Sequence, residues 1–211
     1  MRVFARGLCL DGTDAPDAKF TVDRDGVRGL FGGVGLRDDS AARPMAHGSF
    51  SVPVFRDDRL ITVEGLVHSD GLFGQQKDFL ALSGLGSDGE YFEASFVADG
   101  GSFWCRVTLG GAPDFEVLVP GRVARYKLMF RARDPRVYGE RNSFSGGTVS
   151  VSHFGNAVAS PVVDVVGPRS APYTVSGPGG RSVQIIQALS AGQSHRIEFR
   201  SGRVFRNNSL Q

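Results

Sequence analysis

The sequence is poor in cysteine. Only Cys9 and Cys105 occur among its 211 residues. Two isolated cysteines provide neither a disulfide framework nor a CxxC motif for metal or redox chemistry. We therefore expect both to be buried free thiols of a protein that is assembled in the cytosol.

Residues that form metal or catalytic sites are also scarce. The four histidines lie far apart, outside any HExxH motif: His47, His68, His153 and His195. A zinc site needs three or four converging ligands, so each histidine is expected in a surface or turn position. The carboxylate pairs Asp38-Asp39 and Asp57-Asp58 would point to opposite faces of a strand, and both lie in turn-like sequence. The sequence contains no GxSxG or cysteine–histidine motif and predicts no enzyme, no metal and no cofactor.

Long apolar runs are missing as well. No stretch approaches the ~18 apolar residues of a membrane-spanning helix. The N-terminal segment 1–7 lacks the apolar core of a signal peptide. We expect a soluble protein without a membrane partner, which stays in the producing cell until something else releases it.

Lysine accounts for only three of the 24 basic residues, and the charges are unevenly distributed. Residues 1–121 carry 11 basic and 18 acidic side chains, whereas residues 122–211 carry 13 and 4. The two segments could attract each other, within one chain or between copies, or the charges could simply solvate the surface. The arginines accompany no recognised nucleic-acid-binding motif, so specific binding of nucleic acid is not expected.

Glycine and proline, in contrast, are abundant, with 29 and 10 residues and no collagen-like period. Many turns in one chain imply many short elements, which favours an all-β fold. Period-two alternation of apolar residues predicts strands because successive side chains of a strand point to opposite faces. The predicted strands are Arg59–Val67, Ser102–Leu109, Ala124–Ala132, Gly147–Ser152, Val162–Val166, Ser182–Ile186 and His195–Phe199.

The strand at 124–132 has the clearest alternation. Its predicted core face holds five residues: Ala124, Tyr126, Leu128, Phe130 and Ala132. The opposite face carries Arg125, Lys127 and Arg131, which are candidate residues for a contact between subunits. The sequence therefore predicts a buried face and a charged face on one strand.

Other elements are fewer. The stretch Phe73–Leu82, which ends at Ser83-Gly84, predicts one short amphipathic helix that covers a sheet edge or barrel mouth. The glycine-rich segments Gly29–Gly35 and Gly177–Gly180 are interpreted as loops. The first lacks the third glycine of a dinucleotide fingerprint and is read as a mobile hairpin tip in preference to a phosphate site. Composition changes near Asp134–Asn142, which predicts two domains, 1–140 and 141–211.

Several short motifs follow one another along the chain. They lie in Arg43–Gly48 with Arg59–Gly65, Phe130–Tyr138, Phe154–Ala157 with Ser160-Pro161 and Gly167, and Leu189–Gln193. They match the patterns HG…R-x-I-x-x-x-G, DPR-x-Y, GNA…P…G and L-x-x-G, and in this order they resemble the distal tail protein (Dit) family of siphophages. The motif positions carried over are His47, Gly48, Arg59, Gly65, Asp134, Pro135, Tyr138, Gly155, Asn156, Pro161 and Gly167.

The resemblance implies a fold and a role. The expected fold is an N-terminal β-sandwich or barrel-like domain with one short helix, followed by a galectin-like β-sandwich. The expected role is that of a structural hub subunit in a hexameric ring at the tail tip of the virion, assembled in the host cytoplasm. Its partners would be the tail tube protein, a tail-associated or baseplate hub protein, and a tail fibre or receptor-binding protein. The genome would pass through the lumen of the ring.

The chain departs from the family at its end, and a second function stays open. A galectin-like jelly roll needs more than the 71 residues of 141–211, so this domain is either reduced or cut short. The alternative function is a glycan-binding module for adhesion to the host surface, because sugars stack on exposed aromatic residues. Trp104 and Tyr173 would serve there, although Trp104, between Phe103 and Cys105, is expected to be buried.

Overall fold

The structure, a computed structural model, describes residues 1–12, 19–50, 52–86, 88–153 and 155–210. The chain divides into two compact units, Met1–Ser143 and Phe144–Gln211. Both units are built mainly of β-strands, so the predicted all-β class is confirmed.

The described portion of the first unit contains ten strands and one α-helix. In chain order they are β1 (Arg2–Ala5), β2 (Leu8–Gly12), β3 (Phe20–Arg28), β4 (Leu36–Arg37), β5 (Phe55–Arg56), β6 (Arg59–His68), α1 (Gly71–Ser83), β7 (Phe92–Ala98), β8 (Gly101–Leu109), β9 (Asp114–Val119) and β10 (Val123–Ala132).

Seven of these strands close into a barrel-like sheet. The order is β6-β3-β2-β1-β7-β8-β10, and β10 pairs again with β6, while β9 pairs with β10 alone. The longest pairing joins β10 to β6 in antiparallel register, from Val123 opposite His68 to Ala132 opposite Arg59. Only β2 and β3 pair in parallel among the described strands. Strands β4 and β5 pair with each other outside this sheet.

Strand β10 provides the centre of the core, as its alternation predicts. Ala124, Tyr126, Leu128, Phe130 and Ala132 are all completely buried. Arg125, Lys127 and Arg131 are exposed on the other face. The predicted strands Arg59–Val67 and Ser102–Leu109 are also confirmed, as β6 and β8.

The predicted helix is present, but its amphipathic interpretation was wrong. It begins two residues earlier than predicted and ends where Gly84 N–H donates to the Leu80 carbonyl at 2.8 Å. The buried residues are Gln75, Asp78 and Leu82, whereas Phe73 and Leu80 are exposed. The polar side chains are turned inward because they find hydrogen-bond partners there.

The described portion of the second unit holds a four-stranded antiparallel sheet, a separate hairpin and a short 3-10 turn, Pro178–Gly180. The sheet order is β11-β14-β15-β16 and the hairpin is β12–β13. The strands are β11 (Val162–Val166), β12 (Tyr173–Ser176), β13 (Ser182–Ile185), β14 (Ser194–Glu198), β15 (Arg203–Arg206) and β16 (Ser209–Leu210). Its small core contains Ile185, Ile197 and Phe199.

One predicted strand of the second unit was wrong. Residues 147–152 form no strand, and their apolar Val149 and Val151 are exposed. Alternation alone cannot make a strand that no neighbour pairs with. The predictions Val162–Val166, Ser182–Ile186 and His195–Phe199 are confirmed within one residue at each end.

The two cysteines are free, as predicted, but only one is buried. On β2 the side chain of Leu10 points into the core, so its neighbour Cys9 points outward and is exposed. On β8 the side chains of Cys105 and Val107 are buried, so the adjacent Trp104 lies on the outer face and is half-buried, which corrects its expected burial. Burial raises the pKa of the Cys105 thiol to about 11, so this thiol stays protonated.

Candidate functional site

A long arm, residues 32–58, leaves the barrel between β3 and β6. Its strands pair through Leu36 opposite Arg56 and Arg37 opposite Phe55, and an isolated bridge joins Ala42 to Ser49 nearer the tip. None of the described residues in the arm is buried. The arm therefore contributes nothing to the core of its own unit.

The tip of the arm holds the first family motif. The turn closes with a hydrogen bond from Arg43 N–H to the Gly48 carbonyl at 3.1 Å. Gly48 has φ of 86°, in the left-handed region that glycine occupies without strain. His47 is exposed beside it, as expected of a turn residue. The backbone conformation of the turn thus explains the glycine at position 48, and the exposed His47 side chain is accessible to a partner.

Arg59 anchors the foot of the arm. Its Nη1 donates to the carbonyl oxygens of Gly29, Leu30 and Gly32 at 2.7, 2.9 and 2.9 Å. Its Nε donates to the Pro135 carbonyl at 2.8 Å, which joins two family motifs that are distant in sequence. The segment Gly29–Gly35 is therefore the foot of the arm and not a hairpin tip. Its carbonyls face a cation, the opposite of the N–H groups that a phosphate site presents.

Asp134 and Tyr138 of the DPR-x-Y segment hold Trp104. The Tyr138 hydroxyl donates to Asp134 Oδ2 at 2.7 Å, and its ring stacks on the indole with centroids 4.4 Å apart. Trp104 Nε1 donates to the Gly139 carbonyl at 3.0 Å, and the Arg141 guanidinium lies 4.4 Å from the indole centroid. The indole already packs against Tyr138 and Arg141, and this packing disfavours Trp104 as a stacking surface for a sugar ring.

Gly65 allows a tight crossing of strands. A Cβ at this position would lie 1.8 Å from the Thr21 carbonyl oxygen and 3.0 Å from the Tyr126 hydroxyl. That hydroxyl donates to the same Thr21 oxygen at 2.9 Å, and burial raises the pKa of Tyr126, which keeps the donor proton. Glycine is needed here so that β3, β6 and β10 can approach.

The charged face of β10 is partly neutralised within the unit. Lys127 Nζ lies 3.1 Å from Glu64 Oε1, and Arg131 Nε lies 2.6 Å from Asp58 Oδ2. Arg125 forms no ion pair with any side chain in the described portion of the chain. Of the three candidate contact residues, Arg125 is the one left to meet a partner.

The family positions of the second unit are two glycines that other atoms approach closely and two exposed residues. A Cβ on Gly155 would lie 2.6 Å from the His153 ring, and one on Gly167 would lie 2.3 Å from the Ser190 carbonyl oxygen. Asn156 is exposed, and so is Pro161, whose carbonyl accepts from Phe199 N–H at 3.3 Å. Phe154, the first residue of this segment, lies outside the described residues.

His195 is buried, which corrects its predicted surface position. It lies on the inner face of β14, with Nδ1 2.6 Å from the Tyr173 hydroxyl. Burial, and then the nearby positive charge of Arg206, lower the pKa of His195. Alternation with the buried Ile197 could have indicated this inward position. Tyr173, the other candidate sugar platform, is occupied by the same hydrogen bond.

This pair predicts a loss of stability in acid. Because the folded state lowers the His195 pKa from 6.5, the unfolded chain takes up a proton first as the pH falls. The stabilising effect should be complete above about pH 6.5 and should decline below it. Calorimetric melting of the full chain between pH 7.5 and 5 should show a smaller fall for His195→Gln than for the parent. The exposed His153→Gln is the control, and equal pH slopes for all three proteins would contradict the assignment.

The described residues contain no group of three or more His, Cys, Asp or Glu side chains that could hold a metal ion. No helix in the ranges that the structure describes is long and apolar enough to span a membrane.

Comparisons with known proteins find similarity at the level of structure. No family model matches the sequence, and no curated protein matches it. The crystal structure of SPP1 Dit (gp 19.1), a protein described as a paradigm of the hub adsorption apparatus in phages that infect Gram-positive bacteria, superposes with a TM-score of 0.59. The match covers 99% of this chain and 83% of SPP1 Dit at 13% sequence identity. The chain therefore has a Dit-like fold.

Proposed function

We propose that this chain is a structural subunit of the hub at the distal end of a phage tail. The observation that carries the proposal is the Dit-like fold, which extends over 99% of the chain and both of its units. The sequence resemblance supports it independently. Its motif positions Arg59 and Pro135 bond to each other, and Asp134 bonds to Tyr138.

In this proposal the first domain, residues 1–140, forms a hexameric ring in the virion. The ring joins the tail tube protein to the tail-associated or baseplate hub protein and to fibre or receptor-binding proteins. The second domain, residues 141–211, is a reduced galectin-like β domain that faces outward. An arm without any buried residue in its described portion supports a first domain made for contact with other chains.

The role is non-enzymatic. The subunit is assembled in the host cytoplasm and ends in the tail tip of the virion, where it holds other proteins in position. Glycan binding is not favoured, because both candidate aromatic residues already contact other side chains. Trp104 contacts Tyr138 and Arg141, and Tyr173 contacts His195.

Charge contributes to the proposed assembly less simply than the sequence indicates. The acidic segment, residues 1–121, and the basic segment, residues 122–211, do not coincide with the two units. Residues 1–143 carry 18 basic and 20 acidic side chains, and residues 144–211 carry 6 and 2. More than half of the basic excess of 122–211 thus belongs to the first unit, because residues 122–143 carry 7 basic and 2 acidic side chains. Arg125 is an exposed charge of this stretch without an ion-pair partner among the described residues, and it is available to a neighbouring subunit.

The test is the oligomeric state of the purified full chain, alone and with tail tube protein. Light scattering should give the mass of a hexamer, and negative-stain images should show closed rings. Permanent interfaces usually bury more than ~2,000 Å², so the ring should survive dilution. Monomer under both conditions would contradict the proposal.

A charge reversal tests the proposed contact face. Arg125→Glu should weaken the ring without unfolding the subunit, because the side chain is exposed and has no described ion-pair partner. Arg24→Glu, which changes an exposed arginine of β3, is the matched control. If the Arg125→Glu protein forms rings of unchanged stability, this face is not part of the interface, and the proposed ring is unaffected.

A further inference from the structure

The strongly exposed apolar residues of the first unit gather in two places. In its described portion, the large hydrophobic side chains that are more than half exposed all belong to the arm with its two flanks or to α1. They are Phe31, Leu36, Met45, Phe50, Val54, Phe55 and Leu60 in the first group, and Leu72, Phe73 and Leu80 in the second. Exposed apolar residues normally occur singly, so two such groups mark contact surfaces.

The outward orientation of the α1 group is held by buried polar contacts. Asp78 accepts from Ser69 Oγ at 2.7 Å and lies 2.6 Å from Lys19 Nζ. Gln75 Oε1 accepts from Gly121 N–H at 3.0 Å.

A helix turns about 100° per residue, so Phe73 and Leu80 lie on the side opposite to these two polar residues. Rolling the helix to turn its apolar side inward would break the contacts of Asp78 and Gln75 and leave the buried Gly121 N–H without its acceptor. Within one copy the apolar side therefore stays exposed and is available to a partner.

The arm is the matching surface. Its two ladder pairs and one bridge would be marginal in an isolated hairpin, since two-stranded hairpins are barely stable in water. Arg59 fixes the foot of the arm through four hydrogen bonds, which sets the direction in which it leaves the barrel. The arm has 27 residues, which is within the roughly 20–30 residues that each partner contributes to a stable interface.

We propose that the arm of one copy covers the outer side of α1 on a second copy of this chain. This inference depends on the proposed ring and assigns its contact. A symmetric pairing of arm with arm would leave α1 uncovered. Arm on α1 covers both surfaces, and a head-to-tail contact of this kind closes into a ring when repeated.

The first experiment uses two double variants of the full chain. The variant Phe73→Glu/Leu80→Glu changes the α1 side and Phe50→Glu/Phe55→Glu changes the arm, all at exposed positions. Each alone should shift from ring mass to monomer mass in light scattering. Phe4→Glu, at an exposed apolar residue of β1, should keep the ring.

Mixing the two variants separates a head-to-tail contact from a symmetric one. The α1 variant still has an intact arm and the arm variant still has an intact α1, so the mixture should form a heterodimer and stop there. The inference would be overturned if both variants still formed rings. It would also be overturned if the variants kept the ring and lost only their binding to tail tube protein.

The second experiment applies even where the ring dissociates. Phe73→p-benzoylphenylalanine, in a mixture of isotope-labelled and unlabelled chains at high concentration, should cross-link to residues 31–60 of a different copy. Cross-links from position 73 to any other segment of a second copy would contradict the contact between the arm and α1 but not the proposed ring. A monomer without intermolecular cross-links would contradict both the contact and the proposed ring.

Discussion

Leu128→Asp is expected to give insoluble protein. Leu128 is completely buried in the middle of β10, between the equally buried Tyr126 and Phe130. An aspartate there places an unpaired charge in packed hydrocarbon and loses the packing of the leucine, at a cost of several kcal/mol. The whole stability of a domain is about 5–15 kcal/mol, so the first unit should not survive the change. The measurement is the soluble fraction after expression, followed by circular dichroism of any soluble protein.

The matched control for Leu128→Asp is the neighbouring face of the same strand. Arg125 is exposed, so Arg125→Glu should give a soluble and folded subunit whatever it does to assembly. A soluble, folded Leu128→Asp protein beside an insoluble Arg125→Glu protein would reverse the inside and outside of β10.

Gly65→Ala is expected to destabilise the first unit strongly for a different reason. The added Cβ would lie 1.8 Å from the Thr21 carbonyl oxygen, which already accepts the Tyr126 hydroxyl. Strand β6 pairs with β3 on one side and β10 on the other, so it cannot move away without breaking one ladder. We expect a loss of about 3 kcal/mol, which lowers Tm by roughly 10 °C.

The control for Gly65→Ala is Gly33→Ala in the arm. A Cβ on Gly33 would meet nothing within 4 Å, so its Tm should stay close to that of the parent. Differential scanning calorimetry of the three full chains measures the effect. Equal melting temperatures for Gly65→Ala and the parent would mean that β3 and β6 are not in the register described.

The sequence determined those elements whose side chains follow one period and whose partners are other strands. Alternation over 124–132 predicted the buried face of β10, and alternation over 59–67 predicted the strand β6, because a strand with one face toward the core buries every second residue. Gly84 likewise marked the end of α1. The family motifs indicated the Dit-like fold although overall identity to SPP1 Dit is only 13%.

Only the tertiary structure decided features that depend on residues far apart in the chain. The α1 helix buries Asp78 because Lys19 and Ser69 are brought beside it, and these partners are not visible from the helical period. Alternation with Ile197 is consistent with the inner face for His195, but the hydrogen-bond partner that satisfies it there, the Tyr173 hydroxyl, comes from a distant strand.

Distant partners also explain one wrong prediction, the strand at 147–152, and one residue whose role the sequence did not reveal, Gly65. Residues 147–152 alternate but no described strand pairs with them, and Gly65 became necessary only where Tyr126 reaches Thr21. Local pattern specifies which face of an element is apolar. The long-range packing decides which polar groups are satisfied inside and which apolar side chains are left outside, because hydrogen-bond partners and ladder neighbours come from distant segments.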